Sequence, residues 1–556
     1  MSKKIQLFAV ALLALNQSAF AAEVPSAGGQ IQQIPPAPVP QRAPPEIRIE
    51  RGVAPAMPAS DSVKIPVRSL SVTGQTLYSE AELVAITGFV PERELTVAEL
   101  RGMAVKIANH YRRNGYFLAQ AYLPAQDVKD GAVTIAVIEG RYGSITLRNQ
   151  TNLSDALAER LLTGVNSGDP VAIVPLENHL LLLSDIPGVN VKSTLTPGTE
   201  VGTSDLIVDV TPGRRVTGSV EADNAGNRYT GEYRVGATVN INNPTGHGDV
   251  ASLRVLTSGE GLKYGRASYQ TQIGKATVGV AYSALEYKLG KEFESLQAHG
   301  TARIASLYGS YPLIRARNNN LYALGGFDAK TFQDKEDLTS TVTDKKANVW
   351  WAGLAGNHRD SLGGGGASSY SVTTYFGDLD IETPAALAAD AATARTNGNY
   401  QKLGFHVARL QRVTDRVSLY GAINGQFASK NLDISEKMSL GGPSAVRSYP
   451  VGEAYADEGY IANLEVRLLL PKFSERMPGQ MHLVGFADIG TVTLHKNPWT
   501  DAQNHRTLSG AGIGLTWADY NNFVVHAYWA HKLGNEVATS APDESSRFWI
   551  QLVKYF

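Results

Sequence analysis

The C-terminal part of the chain alternates. In "YRVGATVNI", Tyr233, Val235, Ala237, Val239 and Ile241 fall on one face, and Arg234, Gly236, Thr238 and Asn240 on the other. The same period of two recurs in "VSLYGAINGQF" from Val417, in "YIANLEVRLLL" from Tyr460 and in "MHLVGFADIGTV" from Met481. In the last of these, His482, Phe486, Asp488 and Gly490 share the polar side. A strand sends successive side chains to opposite faces, so this alternation predicts β-structure with one apolar and one polar face. From about residue 214 to Phe556 helical periodicity mostly vanishes. About 340 residues, at roughly ten per strand plus connections, hold some sixteen antiparallel strands. A soluble all-β protein also alternates. Charged residues on the polar face of many segments, and a final "RFWIQLVKYF" ending on Phe556, favour a transmembrane barrel with lipid outside and a polar lumen.

Upstream the period changes. In "TVAELRGMAVKIANHYRRNGY", Leu100, Met103, Ala104, Ile107 and Tyr111 share one helix face, and Asn114-Gly115 supplies a stop. "VRSLSVTG", "YFLAQAYLP" and "AVTIAVIEG" read as strands around that helix. The order strand, helices, strand, strand then recurs through "GSITLRNQ", "LSDALAERLL", "PLENHLLLLSDI", "VNVKSTLTP" and "SDLIVDVTPG". Two small α/β domains follow, at 64–140 and 141–213, each of ordinary domain size. Residues 22–63 are rich in Pro and Ala and read as a semi-rigid linker. Its start, "PSAGGQIQQIPP", holds at most a short helix around Gly29–Ile34. A helix that short is stable only when docked.

The N-terminus carries Lys3 and Lys4, an apolar run from Ile5 to Leu15, and Ala19-Phe20-Ala21. This is the layout of a secretory signal peptide over residues 1–21, cut between Ala21 and Ala22. The run is too short for a membrane anchor, and no later stretch of eighteen apolar residues exists. An exported chain of this kind is soluble or spans the membrane as a closed barrel. Basic and acidic residues number 51 and 52, so no general attraction to nucleic acid is expected. The absence of cysteine excludes thiol catalysis and disulfides. No nucleophile elbow, zinc-protease motif or phosphate loop appears, and the histidines show no ligand spacing. The sequence therefore predicts no enzyme, no cofactor and no metal.

One segment has no period at all. Residues 428–459, between two well-patterned strands, include "GGPSAVRSYPVGEAY" from Gly441 to Tyr455. A structureless loop of that length is functional or disordered. Arg447 is the only basic residue in that stretch, among Val446, Tyr449, Val451 and Tyr455. Alternation places Asp488 on the lumen side. A carboxylate in a shielded lumen needs a partner, and a guanidinium offers a bidentate one. On the residues alone, a solvated arginine and a wet carboxylate in a wide pore remain the alternative.

Nearly the whole mature chain resembles the outer-membrane transporters of two-partner secretion, the TpsB type (the ShlB/FhaC/HecB family). "AGGQIQQIPPAP" is similar to that family's plug helix and linker. "IANHYRRNGYFLAQAYLP" and "VTIAVIEGRYG" resemble its first polypeptide-transport-associated (POTRA) domain, and "DNAGNRYTGEYRVGATVNINNPTGHGD" its first barrel hairpin. The resemblance implies a lumen-directed loop carrying a Val-Arg-Gly-Tyr tetrad, here Val446, Arg447, Ser448 and Tyr449. It implies a wall motif of aromatic-x-Asp-x-Gly, here Phe486, Asp488 and Gly490. Ser448 stands where the family has glycine, and a positive φ there would be strained. Phe556 resembles the terminal aromatic read by the barrel assembly machinery, with Leu552 and Ile550 in step and Lys554 out of step. The family reading implies an outer-membrane barrel, POTRA domains in the periplasm, and a large unfolded partner exoprotein (TpsA type, adhesin- or haemolysin-like) secreted without ATP. Other implied partners are the assembly machinery and outer-membrane lipid or lipopolysaccharide, with no nucleic acid. The alternatives are a barrel-insertion factor of the same superfamily and a general diffusion porin.

Overall fold

Two α/β units lead into a closed barrel in the computed structural model, which describes residues 24–40, 46–49 and 63–556. The expected signal-peptide cut between Ala21 and Ala22 falls outside the described residues. The chain enters with a short helix, α1 (Ala27–Gln32), and a linker strand, β1 (Glu46–Ile49). The helix starts two residues before the predicted Gly29, because Ser26 caps it and accepts from the Gly29 amide.

The first unit runs β2 (Lys64–Val67), β3 (Ser69–Thr73), α2 (Glu80–Thr87), β4 (Arg93–Thr96), α3 (Val97–Arg113), β5 (Gln120–Tyr122) and β6 (Ala132–Ile138). A capping box starts α3: Thr96 Oγ1 accepts from the Glu99 amide at 3.1 Å, and Glu99 returns a bond to the Thr96 amide at 2.7 Å. These bonds hold the Glu99 carboxyl below its usual range. Its predicted face, Leu100, Met103, Ala104, Ile107 and Tyr111, is buried with Val133, Ile135 and Val137 of β6. β5 is shorter than its sequence pattern because Phe117 and Leu118 turn away to pack on the core of the second unit.

That unit comprises β7 (Arg141–Asn149), α4 (Asp155–Leu162), α5 (Ile173–Ser184), β8 (Val189–Pro197) and β9 (Thr203–Pro212). Its sheet has the order β1-β8-β9-β7, so the linker strand pairs in parallel with the β8 edge, Ile47 opposite Ser193. The two units are tied at Glu139. This buried carboxylate accepts from the Thr76 amide and hydroxyl, the Leu77 amide and Tyr111, and pairs with Arg141 at 3.0 Å. Burial opposes its charge, but these donors outweigh burial and hold the carboxyl below its usual range.

The barrel has sixteen strands, β10 (Val216–Asp223) to β25 (Ser546–Tyr555), each antiparallel to its neighbours and closed by β10 on β25. Side chains sort by the predicted alternation. Val235, Val239, Leu464, Val466, Leu483 and Ile489 are exposed on the outside, where lipid satisfies them. Arg234, Asn463, Glu465 and Asp488 are buried on the inside. The closing seam spans five residue pairs, Ser219↔Tyr555 to Asp223↔Gln551. Phe556 extends it, exchanging two backbone bonds of 3.0 Å with Gly218. Lys554 faces outward and reaches Asn522. The second α/β unit docks on the barrel through Arg315, which grips Asp185 with two bonds of 2.7 Å. This junction marks the periplasmic end of the barrel.

Candidate functional site

Residues 429–457 connect β20 (Val417–Ala428) to β21 (Glu458–Leu469) from the far end of the barrel, and they fold back into the lumen. The turn doubles on itself through bridges Met438↔Ala456 and Gly441↔Val446. Most of the tip is buried: Val446, Ser448 and Tyr449 are each 0% exposed and Arg447 is 3% exposed. Val446 and Tyr449 pack with Leu440, Ile461, Val492 and Leu508. Tyr449 also donates to the Glu536 carbonyl at 3.0 Å.

The wall is shaped to receive this tip. Gly490, on β22 (Gln480–Thr493), faces Leu440 and Val446. A Cβ there would lie 2.7 Å from Leu440 Cδ2 and 3.2 Å from Val446 Cγ2. The glycine of the wall motif is therefore the seat of the loop valine. Ser448 takes a negative φ, so the backbone makes no demand for glycine at that position. Its side chain fits because β23 (His505–Asp519) carries Gly510 opposite. A Cβ on Gly510 would come within 2.6 Å of Ser448 Cβ. Ser448 Oγ donates to the Ser509 carbonyl at 3.3 Å.

Arg447 sits at the centre. Its Nε and Nη2 donate to the two oxygens of Asp488 at 2.8 and 2.7 Å, and its amide donates to Asp488 Oδ2 at 3.1 Å. Nη1 donates to Glu465 at 2.8 Å. The guanidinium lies over the Phe486 ring, 3.6 Å from its centroid, with Tyr528 at 5.1 Å. Trp549 Nε1 donates to the Arg447 carbonyl at 2.6 Å. Asn463 bridges wall and loop, donating to Asp488 at 2.8 Å and to the Ala445 carbonyl at 2.9 Å. The structure thus brings Val446, Arg447, Ser448, Tyr449, Phe486, Asp488 and Gly490 into one cluster. Phe556 lies apart, at the seam.

The sequence reading missed Glu465, Asn463, Tyr528 and Trp549. Cross-strand register was the available signal for the first two, since Asn463 stands opposite Asp488 and Glu465 opposite Phe486 on adjacent strands. Trp549 belongs to β25 and reaches Arg447 only because the barrel closes.

Two further straps hold the loop. Glu453 pairs with Arg506 at 2.6 Å and accepts from the amides of Thr539 and Ser540. Nearer the start of the loop, a 3-10 turn, Ile434–Glu436, is framed by lysines of three strands. Lys345 meets Asp433 at 2.6 Å, and Lys330 and Lys402 meet Glu436 at 2.6 and 2.8 Å. α1 rests on that turn. A Cβ on Gly28 would lie 2.8 Å from Ser435 Cβ, and Tyr455 donates to the Gly29 carbonyl at 3.1 Å. On its other side the Ala27 amide donates to Asp334 at 2.7 Å and Gln30 accepts from Thr230 at 2.9 Å. Helix and loop obstruct the same lumen and touch one another.

The chain matches the family described as haemolysin secretion/activation protein ShlB/FhaC/HecB over residues 202–517, and the ShlB-type POTRA domain over residues 65–140. It is 32% identical to the heme/hemopexin transporter protein HuxB of Haemophilus influenzae (strain 86-028NP), over 84% of this chain and 82% of that protein. It is 24% identical to the outer membrane transporter CdiB of Dickeya dadantii (strain 3937), over 81% of this chain and 80% of that one. Among solved structures, CdiB from Escherichia coli superposes with a TM-score of 0.69 at 22% identity, covering 91% of this chain and 93% of that chain, which establishes the shared fold.

Proposed function

This chain belongs to the ShlB/FhaC/HecB family of haemolysin secretion/activation proteins, and from that premise we propose how this outer-membrane transporter handles its partner exoprotein. The exoprotein arrives unfolded in the periplasm and docks on the two α/β units as an extended chain. Strand addition uses main-chain hydrogen bonds and tolerates varied side chains. The β8 edge of the second unit is already covered by β1, which leaves only its β7 edge, whereas the first unit offers both β3 and β5, and we take the first unit as the receptor. The chain then passes through the lumen once α1 and the 429–457 loop give way.

The observation that carries this reading is the buried Arg447–Asp488–Glu465 cluster. A loop drawn into its own pore and fastened by a fully desolvated ion network holds the pore closed in a defined state. It can also be released as a unit. An open diffusion porin has no use for such a fastening. The seated α1 favours passage through the lumen over insertion of other barrels at the seam. Vectorial export without ATP then relies on folding of the exoprotein outside. Phe556 and the closing strand are proposed as the end recognised by the barrel assembly machinery, and the apolar outer face as the surface facing phospholipid and lipopolysaccharide. The loop tetrad and wall motif act as gate residues, not as catalysts.

The deciding experiment co-expresses this chain with a candidate large exoprotein of the TpsA type, in a Gram-negative host that lacks such transporters. The exoprotein should reach the cell surface with the intact chain and remain periplasmic when residues 65–139 are deleted. Surface delivery by the deletion variant removes the first α/β unit from the role of receptor.

A further inference from the structure

Beyond α1 the chain does not leave the lumen at once. The Gln33 carbonyl accepts from Arg234 Nη1 at 3.1 Å, and the Pro35 carbonyl from Arg254 Nη1 at 2.5 Å. Val39 and Pro40 then line a cavity of about 1050 Å³ with Asn190, Asn242, Ser252 and Tyr555, at the junction of barrel and second α/β unit. The proline-rich run from Gln33 to Pro40 therefore descends along the wall made by β10, β11 (Arg234–Asn242) and β12 (Val250–Thr257).

That wall holds a repeated device. Arg234 Nε donates to Asp223 Oδ1 at 2.9 Å, and Arg254 Nη2 donates to Glu221 Oε1 at 2.7 Å. All four side chains are 5% exposed or less. Each carboxylate fixes its arginine and leaves another guanidinium N–H for the threaded chain. Gly236 makes the second pair possible. It stands opposite Glu221 in the ladder, and a Cβ there would lie 2.9 Å from Glu221 Oε1, in the path to Arg254.

The two contacts fall on main-chain carbonyls two residues apart, Gln33 and Pro35. Gln33 closes α1 in the right-handed helical region and the chain opens out only after Ile34, so the resident offers these two carbonyls across a bend, whereas a fully extended chain presents alternate residues to one side without one. The site is also incompletely used. Asp223 Oδ2, Glu221 Oε2, Thr238 Oγ1 and Arg254 Nε are buried and have no hydrogen-bond partner among the described residues. Buried polar atoms are normally paired. The resident segment cannot pair them all, because Pro35, Pro36, Pro38 and Pro40 have no N–H to give.

We propose that this wall is a track for the main chain of the exoprotein in transit. When α1 and the linker withdraw, an extended cargo segment takes the place of Gln33–Pro35. Its carbonyls bind Arg234 and Arg254, and its amides bind the idle oxygens of Asp223 and Glu221. The ligand class is any non-proline polypeptide in extended form, because the track contacts backbone and no side chain. The linker resembles cargo in its carbonyls and is a weaker occupant for want of amides. This inference rests on the transporter reading above.

The test uses the full chain in planar bilayers, with an uncharged Gly-Ser-Asn peptide of about 30 residues, long enough to cross the barrel, added on the periplasmic side. The variants are Arg254→Gln/Glu221→Gln and Arg234→Gln/Asp223→Asn. Paired replacement avoids leaving a buried carboxylate alone. Peptide blockades should last about tenfold less in each pair variant than in the wild type, the loss expected for one or two charge-assisted hydrogen bonds. Thr238→Val, which removes no existing side-chain contact, should shorten them about twofold and serves if a pair variant fails to fold. Equal dwell times in the wild type and all variants overturn the track and leave the transporter reading standing. A wild-type channel that opens and that the peptide never blocks overturns both the track and the passage of an extended chain through this lumen.

Discussion

Arg447→Ala tests the gate most directly. Truncation removes three side-chain hydrogen bonds and the stacking on Phe486. It leaves two buried carboxylates, and their remaining partners are unequal. Glu465 keeps Arg467 at 2.7 Å, whereas Asp488 keeps, among the described residues, Asn463 and the backbone amide of residue 447. Removing one member of a buried ion pair costs roughly 3–5 kcal/mol. At about 1.4 kcal/mol per decade, this moves the balance between seated and unseated tip by about a thousandfold. The barrel itself should survive, because Arg447 belongs to no strand and the β21–β22 ladder of twelve pairs does not involve it. The chain has no cysteine, so Ala445→Cys, a position 8% exposed, reports the tip alone. Maleimide labelling of Ala445→Cys should accelerate at least a hundredfold when Arg447→Ala is added, while the barrel stays heat-modifiable on gels and secretion of the exoprotein collapses. Labelling within about threefold of the parent, with normal secretion, would refute the claim that this ion network holds the loop.

Three other outcomes follow from the same geometry. Gly510→Ala should loosen the tip in the cysteine assay, because its Cβ collides with Ser448, and Ser448→Gly should restore it; a double variant no better than Gly510→Ala would break the pairing. Gly28→Val should unseat α1 from Ser435 and raise spontaneous channel opening in bilayers, and unchanged conductance would remove α1 as a plug. His179 is buried in the second α/β unit with Nδ1 2.8 Å from the Leu161 carbonyl, and burial lowers its pKa below 6.5. The unfolded chain therefore takes up a proton near pH 6.5 that the folded unit resists, so this stability is complete above that pH and declines as pH falls through it. Amide protection factors over residues 141–213 should drop between about pH 7.5 and about pH 5.5, and His179→Asn should flatten the drop.

Much of the fold was legible because local patterns and global structure agree. Barrel strands alternate with a period of two since lipid and lumen select opposite side chains, and α3 announced both its buried face and its Asn114-Gly115 stop. The cluster was legible in part. Asp488 could be placed on the lumen side by counting, but its pairing with Arg447 came from family resemblance, since no local rule aims a long loop. The straps at Glu453 and Glu436 stayed hidden because their partners, Arg506, Lys330 and Lys402, lie on strands distant in sequence. The linker strand β1 was invisible for a related reason: "EIRI" is unremarkable until the exposed β8 edge is set beside it. Nothing local in the sequence shows why serine serves at position 448: its φ is negative, and its side chain fits against a glycine 62 positions away, Gly510.

The plug and its tether have an electrical consequence. Between residues 24 and 40 there is not one charged side chain, and the nearest charges in sequence, Glu23 and Arg42, are of opposite sign. A piston of that composition feels almost no force from a transmembrane voltage, since the work of moving it scales with the charge carried. Its withdrawal toward the periplasm also drags no counterion past the charged straps of the lumen. The helix and its tether therefore carry no gating charge of their own, and any charge that moves with the obstruction belongs to the loop, which carries Asp433, Glu436, Lys437, Arg447, Glu453 and Asp457.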